Sequence, residues 1–491
     1  MKKSMLICSP LSISKLSRQL GLLTALFLLS FSNLQGQHSN TLFQMHSIAQ
    51  SNHLNPAVKP NCKVYFGIPI LNTIDLTYSN SSFTINNLIE NDQVQLDGFY
   101  NRLSAMNIIS VKLLTYPFSA GFYYKKHYFT FSIAERVRSY VSFPKDLVGL
   151  ALYGNAQYIG KKAKLSPVVD ATYYRAYNFG WAFDMDEYNS LGVKGKLLFG
   201  KANAGTGSSK IVFGVGEDFP DLFFEGDVSV NAAFPLNISL DNKNMINGVD
   251  VTAIDPVSFL LNRGNPGIAF DFGYINTYVP DFTFSASVLD LGAILWKDEV
   301  NNISATTDII FQGISVNPDF DFGNLENILG DFADSILNKF QYNVTQDSYV
   351  KFLPTQVYLG AAYRLSTKID LGLTVRNSFE SKTVKSSVTT SVNYTLFNTL
   401  QTFLSWSYAN KSLKNFGAGI AYTGKGFQFY AVSDNVYGFI RPVDSRLINF
   451  RFGMNLMFGC SSFAREVRYG GHSMVPCPPG KTNRVKKSTR K

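Results

Sequence analysis

Few residues in this chain have the spacing that chemistry requires. The five histidines stand at positions 38, 46, 53, 127 and 472. His38, His46 and His53 cluster near the N-terminus, but their intervals do not give the i, i+4 pair that two imidazole ligands on a helix need. No GxSxG elbow, HExxH helix, GxxxxGK[ST] loop or GxGxxG turn occurs. A membrane-embedded hydrolase would pair a histidine with Ser or Asp at the lipid interface, and His127 is the sole histidine within the strand-forming region. No catalytic residue, metal site or cofactor is therefore expected. The chain does offer isolated charges in apolar surroundings: Arg136, Arg138, Asp271, Asp370, Arg376 and Arg451. Each stands on the small-residue side of an alternating stretch, where it would either build an ion-pair ladder or select a solute.

The elements that carry these charges are strands. In GIAFDFGYINTY (267–278), Ile268, Phe270, Phe272 and Tyr274 alternate with Gly267, Ala269, Asp271 and Gly273. The same period of two recurs at 128–139, 368–376 and 415–422. One face is bulky and apolar, and the other is small, glycine-rich or singly charged. A soluble sandwich would cover its polar face with Lys, Glu and Thr, whereas a crowded barrel lumen accepts this pattern. Composition agrees: charged residues are only 16% of the chain, below the ~25% of soluble proteins, and aromatics reach 14%.

Short and long connections alternate, and their parity divides 63–460 into fourteen spans, from 63–83 to 446–458. The fold expected is all-β, a fourteen-stranded antiparallel transmembrane barrel with a short N-terminal plug and helical insertions in long extracellular loops. Strand-like pieces at 222–235 and 304–314 break the parity if counted as spans, so they are expected outside the wall. In GNLENILGDFADSILNKF (323–340), Leu325, Ile328, Leu329, Phe332 and Ile336 fall on one helical stripe. A weaker helix is expected at 94–106. In DFTFSASVLDLGAILW the apolar parity slips at Val288, Leu289 and Asp290, as a β-bulge would cause.

The ends differ from the body. Residues 1–36 carry four basic residues and an apolar GLLTALFLLSF core too short to span a bilayer as a helix, which marks a secretory signal. The tail 461–491 is strongly basic, with Lys481, Arg484, Lys486, Lys487, Arg490 and Lys491. The net charge of +10 therefore sits at the two ends, and nucleic acid is not implied. Residues 37–62 form a lead-in or plug, broken by Asn55, Pro56 and Ala57. Beyond the signal, Cys62, Cys460 and Cys477 allow one disulfide, expected between the near neighbours Cys460 and Cys477.

Four motifs in order carry a resemblance: SNHLNPA, NRGNPGIAFDFGY (262–274), SASVLDLGAILWK (285–297) and INFRFGMNLMFG (448–459). Together they resemble a family of uncharacterised outer-membrane barrels of Bacteroidetes, broadly similar to FadL and PorV barrels, over about residues 40–460. The resemblance implies a fourteen-stranded barrel in the outer membrane of a Gram-negative bacterium, with Asn55, Pro56 and Ala57 as the turn of an N-terminal hatch. A FadL-like barrel would pass small hydrophobic molecules, with a wall kink as the place of a lateral opening. A PorV-like barrel would instead dock to an envelope complex, the basic tail reaching a periplasmic protein or peptidoglycan. Either would have outer-membrane lipid around it.

Overall fold

The computed structural model describes residues 40–460, apart from 88, 91–92, 95, 217–221, 241–245, 252–254, 312–340, 381–382, 398, 410–411 and 425. The signal, the basic tail and the apolar stripe expected at 323–340 lie outside the described residues.

Fourteen strands follow one another round a closed wall. They are β1 (Cys62–Gly67 and Ile74–Asn80), β2 (Met106–Tyr124), β3 (His127–Pro144), β4 (Val168–Asp184) and β5 (Asn189–Val215). Next come β6 (Asn265–Asn276), β7 (Phe282–Trp296), β8 (Tyr349–Phe352 and Thr355–Arg364), β9 (Ile369–Glu380) and β10 (Thr383–Phe397). The last are β11 (Leu400–Ala409), β12 (Ser412–Thr423), β13 (Phe427–Ser433) and β14 (Leu447–Cys460). Each is antiparallel to the next, and β14 pairs back onto both pieces of β1. Closure leaves no edge, which is what a solvent that cannot hydrogen-bond to the backbone demands.

The period of two sorts the side chains as the sequence suggests. On β6, Ile268, Phe270, Phe272 and Tyr274 are exposed on the outer wall, while Ala269 and Asp271 are buried inside. Trp181, Trp406, Leu371, Leu373, Phe416 and Ile420 join the same outer belt. β5 runs on to Val215 and, with Leu222–Ala233, Val300–Phe311 and Gln341–Thr345, forms a sheet that continues beyond the wall. The pieces expected outside the wall are therefore outside it. A short helix occupies Leu96–Arg102, within the span expected at 94–106. β9 runs to Glu380 and β10 starts at Thr383, so the connection between them is short.

The cysteines require a correction. Cys460 bonds to Cys62 and not to Cys477. Along an open chain a short loop closes at the least entropic cost, which favours the near neighbour. Closing the barrel overrides that preference: Cys62 and Cys460 are direct register partners across the β1–β14 seam, although 398 residues separate them. Cys62→Ser is expected to destabilise the barrel by about 2–5 kcal/mol. Heat-dependent mobility on denaturing gels should show it melting earlier, and reductant should shift the native protein to the same temperature while leaving the variant unmoved.

Candidate functional site

A lumen lined with Ser, Thr, Asn and charges cannot build a dry core by itself. Residues 40–60 supply one. Leu42, Phe43, Met45, Ile48 and Leu54 lie buried within the barrel against Leu289, Tyr358, Phe403, Tyr430 and Val432 of the wall. The Phe43 ring stacks on Tyr358 at 4.9 Å. Polar contacts fix the segment's orientation. Gln44 Nε2 donates to Thr374 Oγ1 at 2.7 Å, Gln50 Nε2 to Asn455 Oδ1 at 2.6 Å and Lys194 Nζ to the Asn52 carbonyl at 3.0 Å. The segment therefore lies inside the lumen, held to strands from several sides of the wall.

The Asn55-Pro56-Ala57 turn has a socket. Asn55 Oδ1 accepts from the Ala57 amide at 3.0 Å, closing a local turn, and Asn55 Nδ2 donates to the Tyr274 carbonyl at 3.3 Å. Gly192 on β5 and Gly273 on β6 are register partners. A Cβ on Gly273 would fall 2.2 Å from Asn55 Oδ1, and one on Gly192 would fall 2.2 Å from the Pro56 carbonyl carbon. The opposed pair is a notch that admits the turn, which is why the small face of GIAFDFGY needs glycine at this point.

The six charges named from the sequence all lie on the inner face. They do not form one ladder. Arg451 pairs with Asp75, and Arg138 Nη2 lies 2.8 Å from Glu380 Oε2. Asp271 and Asp290 share Lys196, whose Nζ lies 2.6 and 2.5 Å from them, and Arg136 Nη1 reaches Asp290 at 2.8 Å. Asp370 is buried in the wall away from these, beside the plug's Gln44 and His46. Arg376 Nη2 donates to Gln356 Oε1 at 2.8 Å and sits over the Tyr358 ring.

The slip at Val288–Asp290 is a bulge. Phe272 pairs with Val288 and Phe270 with Leu291, so Asp271 faces both Leu289 and Asp290. Asp290 has φ of 60°, a left-handed conformation that Asp and Asn tolerate better than most residues. Strict alternation puts Asp290 on the lipid face; the bulge turns it inward, where Asp271 Oδ1 accepts from its amide at 2.8 Å. Beyond the bulge Leu291 and Leu295 point outward again.

Above the plug, on the side of the long loops, lies a cavity of about 680 Å³. Gln50, His53 and Leu54 of the plug form its floor. Leu114, Leu289, Ile294, Trp296, Leu353 and the rings of Tyr116, Tyr174 and Tyr358 give it apolar walls, and the paired charges above complete it.

A family model described as a family of unknown function (DUF5723) matches residues 56–434. The chain belongs to this family. No curated protein matches it in sequence. Among solved structures, the toluene transporter TbuX of Ralstonia pickettii is 8% identical, covering 84% of this chain and 94% of that one at a TM-score of 0.40. The toluene transporter TodX of P. putida is 7% identical, with 85% and 93% covered and a TM-score of 0.38. A FadL homologue of Pseudomonas aeruginosa is 8% identical, with 83% and 92% covered and a TM-score of 0.35.

Sequence reasoning missed most partners of the charges it found. Lys194 and Lys196 share the inward parity of Gly192, so the alternation that exposed Asp271 could have exposed them. Glu380 and Lys385 flank the short connection between β9 and β10, outside the alternating stretches that marked the other charges. Asp290→Asn preserves the left-handed backbone and removes the carboxylate that Arg136 and Lys196 share. It should cost about 3–5 kcal/mol, read as a lower urea midpoint in detergent micelles.

The plug also carries titrating groups. Burial holds His46 down at about 4, from an ordinary 6.5. His53, stacked on Tyr116 at 3.9 Å, is held well below its ordinary value by burial and then by Lys194, Arg136, Arg451 and Lys196. An undocked plug therefore binds more protons than a docked one below about pH 6.5. Docking should be insensitive to pH above that value and should weaken as pH falls towards 4, by up to about 3 kcal/mol for His46 alone. Limited proteolysis of the N-terminal segment across pH 7.5 to 4.5 should show faster cleavage at the acid end, and His46→Leu should flatten the profile.

Proposed function

We propose that the protein is an outer-membrane channel that passes small hydrophobic molecules through a lumen closed by its own N-terminal segment. The observation that carries this reading is the cavity of about 680 Å³, with aliphatic and ring-bearing walls, seated directly on the plug. A barrel whose only task was to hold its shape would have no need of an apolar chamber above a seal.

Two exits are supported by the geometry. One is the short-turn end, which the plug seals through the socket at Gly192 and Gly273. The other is the wall. The bulge at Leu289–Asp290 faces β6, and on the other side of β7 the strand β8 is split at Leu353–Pro354, where proline has no amide to donate. Ladder defects on both sides of β7 thus meet at one height, and Leu289, Asp290, Leu353 and Pro354 all border the cavity. The ladder is interrupted on both sides of β7 there, so that is where a solute would pass sideways into the bilayer.

Vesicles of lipopolysaccharide and phospholipid, which admit apolar solutes slowly, provide the test. Those bearing the protein should take up labelled naphthalene faster than empty ones, and equal rates would overturn the reading. Gly273→Val drives a methyl group into Asn55 and should unseat the plug. Planar bilayers should then show a steady ion conductance well above that of the native protein.

A further inference from the structure

We infer that the cavity binds a small aromatic carboxylate in preference to a neutral hydrocarbon of the same shape, with Arg376 as the anion-receiving group. This deepens the proposed channel function and rests on it.

The charge distribution carries the inference. The acidic residues that line the cavity are each matched: Asp75 by Arg451, Asp170 by Lys351 and Asp290 by Arg136. Around Glu380 the balance fails. Arg138 and Lys385 lie 2.8 Å from its carboxylate and Lys112 lies 3.7 Å from it. Arg376, within electrostatic range of Lys112 and Lys385, adds a fourth cation. One carboxylate thus serves three cations, and the fourth has no acidic partner among the described residues.

Arg376 is 1% exposed. Among the described residues its guanidinium meets the neutral Gln356 amide oxygen and the Tyr358 ring, and its Nε has no hydrogen-bond partner. A buried guanidinium without a counter-charge is costly, and its planar fork fits a carboxylate through two parallel hydrogen bonds. Arg376 lines the cavity, so a carboxylate entering from the long-loop side would reach it.

The body of the ligand follows from the remaining walls. Trp296, Tyr116, Tyr174, Tyr358 and His53 set rings around the same space. Trp296 is fully buried, and its indole N–H has no acceptor among the described residues. Ring walls with unmatched donors suit a flat aromatic body bearing acceptor atoms.

Binding of 2-naphthoate and of naphthalene to the full-length protein in lipid nanodiscs tests this. The native protein should bind 2-naphthoate about tenfold or more tightly than naphthalene. Arg376→Gln should abolish that preference, and Arg376→Lys should retain part of it. Heat-dependent gel mobility reports whether each variant is folded. Should Arg376→Gln not fold, Lys112→Gln, which lowers the same positive excess from a different strand, should narrow the preference. Equal affinity for the two probes, a preference that survives Arg376→Gln in folded protein, or one that Lys112→Gln leaves as wide as in the native protein, would overturn the anion site and leave the channel reading standing. Binding of neither probe would overturn both.

Discussion

Closure of β14 onto β1 is the constraint from which the rest of the structure follows. Each strand contributes a row of amides and carbonyls that lipid cannot satisfy, so no strand is stable at the edge of an open sheet. The seam is not uniform. β1 pairs with β14 through Val64–Gly67 and again through Ile74–Ser79, and between these pieces the chain bulges, with Ile68 and Leu71 still bonded to Met454. Asn72 turns inward from that excursion, where Gln50 of the plug and Ser119 of β2 bond to it. This bulged part of the closing contact is thus braced from inside by the segment that lies within the lumen.

The lumen shows how a wall with an apolar outside manages its inside. In a soluble domain the inward face would be the dry one; here the apolar face is spent on the exterior and the interior must be held by polar contacts. Two devices do so. Opposed charges on different strands pair across the lumen, as Arg136 on β3 does with Asp290 on β7, which stiffens the wall against flattening. The plug brings Leu42, Phe43, Met45 and Ile48 to an interior that otherwise has few large apolar groups near its short-turn end. What is left over, above the plug, is a chamber in which neither device is complete.

Much of this was legible in the residues. Period-two alternation gave the faces of β6 and β9, connection lengths gave fourteen strands, and the parity slip located the bulge before its geometry was known. Partners across the barrel were not legible. A strand's own sequence says which way Arg138 points but not that Glu380, on a strand six places further round the wall, will meet it. The same limit explains the cysteines, since only closure makes Cys62 a neighbour of Cys460. Asp290 shows a finer limit: the sequence revealed that the register slipped there, whereas the side to which its carboxylate turned depended on a left-handed backbone angle.

The bond between Cys62 and Cys460 also changes the topology of the molecule. It joins the first strand to the last, so the wall becomes a covalent loop as well as a hydrogen-bonded one. The bond needs both ends of the barrel, and a chain that stops short of Cys460 can never acquire it. Its presence therefore records that the strand-forming region was delivered whole. Once it is made, the strands cannot be drawn out one at a time from a free edge, because the barrel no longer has one.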